Sequence, residues 1–416
     1  MTLPVKFAFS SMLAVGLSAS IFAPPSFADD TALNVLRGDV SASSLAQDDF
    51  YESSSDVQAY QAEFDRFIPK PQKSTKIDYT FWDGVIFDTI IDLGPSDRIR
   101  RVKPRGFFNG KRYVEVGHTS PFRLEGSLIG FSEAYEMLDL KRDIHAYRKE
   151  LEQLATDIDI TTLSRDEQLA FWFNLHNVAV YDILLQRRLK HDLDWYKIKG
   201  QRYDDAKVLN INGAALSLKD IRHNIVYRNW EDPVVMYGFF HGYIGGPSLR
   251  PKAYTAENLK EFLQEGAEEF TNSLRGFEVR EGRQGGLQVS QLYSDAAAVY
   301  FPNFQQDLQA HFKKYMRPEI FKLTNSGEAF KTVKFDTDVS DLRAGKPEPK
   351  IAGEGSLFID GFGLDDDELF NLDPGRRTAY AIFEKEVMKK RDRLIDLGLL
   401  DNEVTIEDVE TEDSTP

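Results

Sequence analysis

Apolar positions recur with helical spacing along most of this chain. Between Ser164 and Arg188 they fill almost every face of the turn. Leu169, Ala170, Phe171, Trp172, Phe173, Leu175, Val178, Val180, Ile183 and Leu184 surround a predicted helix. A helix that is apolar all round belongs inside a large core. Ser164 and Glu167 stand at the spacing of a capping box, with Asp166 and Glu167 at the positive start and Arg187 and Arg188 at the negative end. At its middle the helix carries Asn174, His176 and Asn177. Buried polar groups left without partners cost about 1–3 kcal/mol each, so other segments must meet these three, and the meeting place is the candidate site. The expected partners are the segment bearing His223 and the bend at Gly245–Arg250.

Around that helix the pattern predicts shorter elements. Residues 29–75 read as a polar leader, partly helical around Val57–Phe67 and closed by Pro69 and Pro71. A helix is expected over 79–92, with Phe81, Val85, Ile86, Thr89 and Ile90 on one stripe and Gly94-Pro95-Ser96 as its stop. Ile144–Leu154 is amphipathic. Ala206–Leu218 reads as a hairpin around Asn212-Gly213, and Ser217–Val226 as a short helix with Ile221, Ile225 and Val226 inward. Val234–His241 is a buried strand or helix, followed by a glycine-rich path through Gly242–Arg250. Thr255–Asn272 is an amphipathic helix capped by Thr255; a second hairpin pairs Phe277–Val279 with Leu287–Val289; Leu292–Phe304 and Asp307–Tyr315 look helical. Beyond Arg317 the pattern weakens into a linker at 345–355, an acidic stretch at 357–372, a charged helix at 379–394 and an acidic end at 401–416 expected to be disordered. The fold class is α+β, predominantly helical: a buried central helix with short β-hairpins packed at one side. The main domain is placed at 76–315 and an acidic C-terminal extension at 316–416.

The chain start changes where such a protein would work. Lys6, the apolar run Phe7–Ala23 and the small-x-small end Ser26-Phe27-Ala28 read as a signal peptide over residues 1–28. A periplasmic or secreted location follows, with no later run long enough to span a bilayer. The 416 residues hold no cysteine, so stability rests on core burial, helped by 30 Phe and 17 Tyr, and thiol chemistry is excluded. A net charge of −16 argues against nucleic acid as a partner. The one basic stretch runs from Arg98 through Arg100, Arg101, Lys103, Arg105, Lys111 and Arg112. It reads either as a solvated loop or as a collar that neutralises acidic surface or holds an anion. Next to it Arg123 and Glu125 alternate as on one face of an extended piece, where an ion pair between them is expected.

The pairing of the central helix with Leu216–Arg250 resembles the domain-of-unknown-function family 547. Its Phe-Trp-x-Asn-Leu-x-Asn helix is matched by Phe171, Trp172, Asn174, Leu175 and Asn177. Its Leu-Ser-x-x-Asp-Ile-x-His segment is matched by Leu216, Ser217, Asp220, Ile221 and His223, and its Pro-x-Leu-Arg turn by Pro247, Leu249 and Arg250. Ala253–Asn258 resembles the start of the family's next helix, so the likeness spans about Leu163–Phe277. Many members carry cysteines where this chain has His241 and Gly246. A thiol nucleophile implied by analogy in those members is therefore missing here, and the resemblance implies a domain rather than a reaction.

Candidate chemistry gathers on His223, His241, Asn177 and Ser248 as possible catalytic groups. Asn174, His176, Tyr243, Arg250, Arg123 and Glu125 are possible binding groups. Asp220, three residues before His223, is placed to orient its ring. No histidine spacing of a metal site occurs, and no cofactor or metal is expected. Three readings stand. The residues form a satisfied polar network that fixes how the central helix meets the glycine turn. Or they shape a pocket in an envelope binding or scaffold protein, for a small molecule or an envelope protein. Or they form a hydrolase-like site with His223 as base. An open cleft with His223 or His241 in reach of Asn177, Ser248 or Tyr243 marks the enzyme; a closed network marks the others.

Overall fold

Every residue from Glu167 to Leu185 of the helix Arg165–Arg187 is buried, so the apolar run does become the axis of the fold. The computed structural model describes residues 2–3, 62–102, 107–109, 112–114, 118, 120–130, 138–187, 192–282, 285–341 and 374–400. Nearly all of the expected signal segment, the leader before residue 62, the 345–372 region and the end beyond Leu400 lie outside these residues.

In chain order the framing elements are α1 (Thr80–Thr89), β1 (Ile90–Asp92), β2 (Ser127–Ile129), α2 (Leu138–Asp157) and the central helix, α3. A hairpin follows, β3 (Leu209–Ile211) and β4 (Ala214–Leu216), then a π-helix at Asp220–Tyr227 and a 3₁₀ turn at Pro233–Gly238. After these come α4 (Leu259–Asn272), β5 (Phe277–Arg280), β6 (Gly286–Ser290), α5 (Phe304–Tyr315), β7 (Lys331–Val333) and α6 (Pro374–Asp396). The fold is α+β and predominantly helical, with small sheets beside the helices. Among the described residues no helix is long and apolar enough to cross a membrane.

Several elements form for the reasons their residues give. Asn212 and Gly213 both take positive φ, 52° and 79°, which closes the β3–β4 hairpin with Ile211 opposite Ala214. Thr255 Oγ1 accepts from the Asn258 N–H at 3.3 Å and Asn258 Oδ1 accepts from the Thr255 N–H at 2.8 Å, a reciprocal lock at the entry to α4. At the start of α3, Ser164 Oγ accepts from the Glu167 N–H at 3.2 Å. The Glu167 carboxylate does not complete the box. It is buried and accepts from the Ile77 N–H at 2.7 Å, so it ties the segment before α1 to the central helix.

Other expectations need correction. The helix expected over 79–92 ends at Thr89, because Ile90 and Ile91 pair instead with Ile129 and Leu128 across the β1–β2 ladder. Its buried face includes Trp82, edge-on to Tyr181 at 5.4 Å, while Phe81 is only half-buried. The run 292–304 breaks into two short helices, Gln291–Asp295 and Ala297–Tyr300. Beyond Arg317, β7 joins the second hairpin parallel to β6, with Val289 opposite Thr332. The basic stretch is partly built into the structure. Arg98 donates to the carbonyls of Asn272 and Phe277, both at 3.0 Å, and Arg101 pairs with buried Asp97 at 2.7 Å. The side chains of Lys103, Arg105, Lys111 and Arg112 lie outside the description.

Candidate functional site

Both asparagines of α3 are spent on backbone. Asn174 donates to the Tyr254 carbonyl at 2.7 Å and accepts from the Tyr254 N–H at 3.0 Å. Asn177 donates to the Gly238 carbonyl at 3.0 Å and accepts from the Phe240 N–H at 2.9 Å. The two amides therefore pin the chain on either side of the glycine bend, at 238–240 and at 254. The expected partners of the polar trio were the segment bearing His223 and the bend; the two amides instead bond peptide groups flanking the bend, and the segment bearing His223 meets His176 through Arg222. A primary amide matches a peptide because each offers one donor and one acceptor in a plane. Close approach requires the glycine at 238: a Cβ there would lie 2.5 Å from the buried Phe173 ring. Gly238→Ala should lower unfolding stability by about 2 kcal/mol, read as a shifted denaturant midpoint. An unshifted midpoint would mean that the segment does not press on α3.

His176, between the two amides, is buried and reaches a different kind of partner. Arg222 Nη1 donates to His176 Nε2 at 2.9 Å. Arginine has no acceptor, so Nε2 must be the unprotonated nitrogen and the ring proton sits on Nδ1. From there it donates to Asn177 Oδ1 at 3.1 Å, the same oxygen that receives the Phe240 N–H. The other end of Arg222 pairs with Asp204. A continuous chain thus runs Asp204, Arg222, His176, Asn177, Phe240; Arg222 Nε, also buried, is its one donor without an acceptor among the described residues. Burial, and then the positive charge of Arg222, push the His176 imidazole down to about 3. Burial alone would raise the Asp204 carboxyl, but Arg222 beside it holds it well below the usual range.

His241 stands next to this chain, its ring 6.3 Å from that of His176. Its Nδ1 lies 2.9 Å from the Tyr243 hydroxyl, and its buried Nε2 has no partner among the described residues. Burial, followed by Arg222, keeps this imidazole neutral far below its ordinary value, and burial keeps the Tyr243 hydroxyl protonated. Phe335 closes the side of the pair, 5.7 Å from His241 and 5.0 Å from Tyr243. The charges of Arg222 and Asp204 also reach Asp295. That carboxyl touches solvent, yet the surrounding protein pushes it up to about 6, as in a recess.

The remaining candidates lie in other networks. His223 is half-buried, its ring edge-on to Tyr227 at 4.9 Å, and burial pushes it down to about 3. Asp220 does not orient it. That carboxylate receives the Ser217 N–H and hydroxyl, at 2.7 and 2.8 Å, together with Lys207 and Asn224. Ser248 Oγ donates to Glu269 at 3.2 Å and receives Arg275 at 3.3 Å, a pairing with charged groups and with no histidine. Arg250 pairs with Glu265 and lies over the Phe262 ring, which fastens the bend to α4. Arg123 and Glu125 do not pair with each other. They sit in a turn, with the Glu125 N–H on the Phe122 carbonyl at 2.8 Å, so alternation along a strand does not apply. Arg123 instead clamps Glu386 of α6 through two bonds of 2.6 and 2.8 Å, and Glu125 receives the Ser96 hydroxyl at 2.8 Å.

Residues 160–271 match the family model described as "Protein of unknown function, DUF547". The segment belongs to the DUF547 family. Neither a search of curated proteins nor one of solved structures gives a match. The matched span of DUF547 holds α3, the π-helix, both asparagine clamps and the Arg222 chain; β1, β2 and α6 lie outside it. The two positions where many DUF547 members carry cysteine are neighbours here, since a Cβ at Gly246 would lie 3.3 Å from that of His241. Among the described residues no group of three or more His, Asp or Glu is arranged to hold a metal ion.

Arg222 and Asp204 were not among the site residues read from the sequence. Arg222 did carry a signal, a charge among the apolar Ile221, Ile225 and Val226. At ordinary helical spacing it falls on an adjacent face. The wider turn of a π-helix, a form frequent at functional sites, accompanies its place inside. Asp204 sits in a turn with nothing in its surroundings to mark it.

Proposed function

We propose that the chain is an exported binding protein of the cell envelope, and that its recognition surface is the part-exposed rim around Arg222. Asp204, His223, Tyr243 and Asp295 keep contact with solvent there and all lie within the field of Arg222. The observation that carries this reading is the course of the Arg222 chain: it starts at the buried Asn177 and surfaces at Asp204, whose side chain keeps 34% of its exposure. A purely internal network has no need to reach solvent. The half-exposed His223, Tyr243 and Phe335 flank that end and offer ring faces and polar edges to a small ligand.

Binding is favoured over hydrolysis by what the candidate catalytic groups already do. Asn177 is committed to backbone, Ser248 to Arg275 and Glu269, His223 makes no hydrogen bond among the described residues, and His241, though in reach of the Tyr243 hydroxyl, is buried rather than lining an open cleft. A base held near 3 is also a weak acceptor at neutral pH. The export part of the proposal rests on the signal-like start alone.

Ligand-detected NMR of the full chain with amino acids, short oligosaccharides and soluble wall fragments tests the proposal. At least one class should bind, and Asp204→Ala should weaken that binding at least about tenfold through the loss of a charge-assisted contact. Ester or amide hydrolysis lost in both His223→Ala and His241→Ala would replace the binding reading by an enzymatic one.

A further inference from the structure

The DUF547 match ends at residue 271, yet a helix from more than a hundred residues later is fixed to the chain that bears the glycine bend. Helix α6 is held by a buried lysine. Lys390 keeps 2% of its exposure and donates to the carbonyls of Leu93 and Leu124, both at 2.7 Å, and of Gly94 at 3.4 Å. An ammonium group in such a place needs compensating charge, and Glu125, Asp97 and Glu269 supply it, with Arg101 opposing. One turn earlier Glu386 takes the two-bond clamp from Arg123. Beside these, Phe383 and Val387 pack with Leu93, Leu124, Leu128 and Ile244 in an apolar cluster separate from the main core.

Ile244 is the link to the site. It sits inside the bend, between Tyr243 and Gly245, and its N–H donates to the Asp338 carbonyl at 2.9 Å. The same bend is gripped from the polar side. Arg275 lies within the field of Glu125 and donates to the Gly246 carbonyl at 2.8 Å, while also pairing with Glu269 and Ser248. Helix α6 therefore meets the bend twice, through Ile244 and through the Lys390–Glu125–Arg275 charges.

We propose that α6 is a latch whose docking, through Lys390 and Glu386, holds the 241–246 bend and so fixes His241 and Tyr243 over the Arg222 chain. Undocked, the bend loses the cover on Ile244, and Glu125 keeps Arg275 but loses Lys390, the larger of its two buried cationic influences. The proposal concerns the conformation of the bend and is read without any ligand, so it stands or falls separately from the binding function.

Hydrogen exchange on the full chain tests it. In Lys390→Met, amides of 383–396 and of 241–246 should both exchange at least about tenfold faster, while 170–185 in α3 stays protected. Arg123→Glu should act in the same way, and Arg123→Glu with Glu386→Arg should restore slow exchange at both places. If 383–396 loosens and 241–246 does not, α6 is a passive attachment and the proposal fails. It fails equally if neither segment responds. Should Lys390→Met unprotect α3 as well, the Arg123 and Glu386 pair of variants decides by the same two segments.

Discussion

Replacing Asn177 by leucine should lower the unfolding free energy by about 5 kcal/mol. Leucine has the same number and branching of heavy atoms and is the bulkier side chain, so the loss does not come from a cavity. It comes from three polar groups left dry: the Gly238 carbonyl, the Phe240 N–H and the Nδ1–H of His176. Each buried group without a partner costs about 1–3 kcal/mol, and none of the three has water to turn to at a side chain only 2% exposed. Urea unfolding with an unchanged slope is the measurement. Asn210 gives the contrast, since its exposed side chain also accepts a backbone N–H, from Gly213 at 3.1 Å. Asn210→Ala should cost less than about 1 kcal/mol. Equal losses at 177 and 210 would mean that burial of the amide adds nothing, and the view of α3 as the element that pins the bend would have to be given up.

That experiment turns on what a sequence can and cannot disclose. The need of Asn174, His176 and Asn177 for partners was legible, because amides and an imidazole in the middle of an apolar helix have no solvent to bond. The identity of the partners was not. Tyr254, Gly238 and Phe240 answer through peptide groups, which every residue carries and no side chain advertises. The hairpins were legible for the opposite reason: Asn212-Gly213 is local chemistry, complete within the turn. Long-range charge pairing was the least legible. Alternation put Arg123 and Glu125 side by side, but a turn separates them, and the true partner of Arg123 lies at Glu386. The strand β7 offered three largely solvent-exposed residues and no periodicity to read.

The same contrast bears on function. A residue that looks catalytic in a list, such as Ser248 beside three glycines, is satisfied by Arg275 and Glu269 once the chain is folded. A residue with no motif, Asp204, ends a polar chain that carries the buried His176 and Asn177 out to solvent. Site candidates in a protein of this kind are better ranked by what remains unmatched after folding than by residue type. By that measure His241, with its Nε2 unpartnered among the described residues, and the Asp204 end of the Arg222 chain come first.

Lowering the pH from 7.5 to 5.5 should destabilise the protein by about 4 kcal/mol, well before its carboxylates titrate as a group. The buried histidines are the cause. Burial pushes His176 and His311 down to about 3 and His241 well below its ordinary value. His311 is held against the Tyr237 hydroxyl at 2.8 Å in another part of the core. In the unfolded chain each ring returns to about 6.5. The unfolded state therefore binds more protons as the pH falls through 6.5, and stability drops with it. Each ring contributes about 1.4 kcal/mol at pH 5.5, and three give the total; His223, also pushed down to about 3, is half-exposed, and solvent screening makes its share small. Asp295, at about 6 in the fold, runs the other way, because it gains a proton in the folded state first. Its contact with solvent leaves that offset small. The raised carboxyls of Glu125, Glu167 and Asp336 act in the same sense as Asp295 and flatten the curve as the pH falls further. Urea midpoints at half-unit pH steps give the slope directly. A midpoint that holds steady or rises between pH 7.5 and 5.5 would mean that these rings carry protons inside the fold. Arg222 would then have no unprotonated nitrogen at His176 to donate to, and the chain from Asp204 to Phe240 would be broken at its centre.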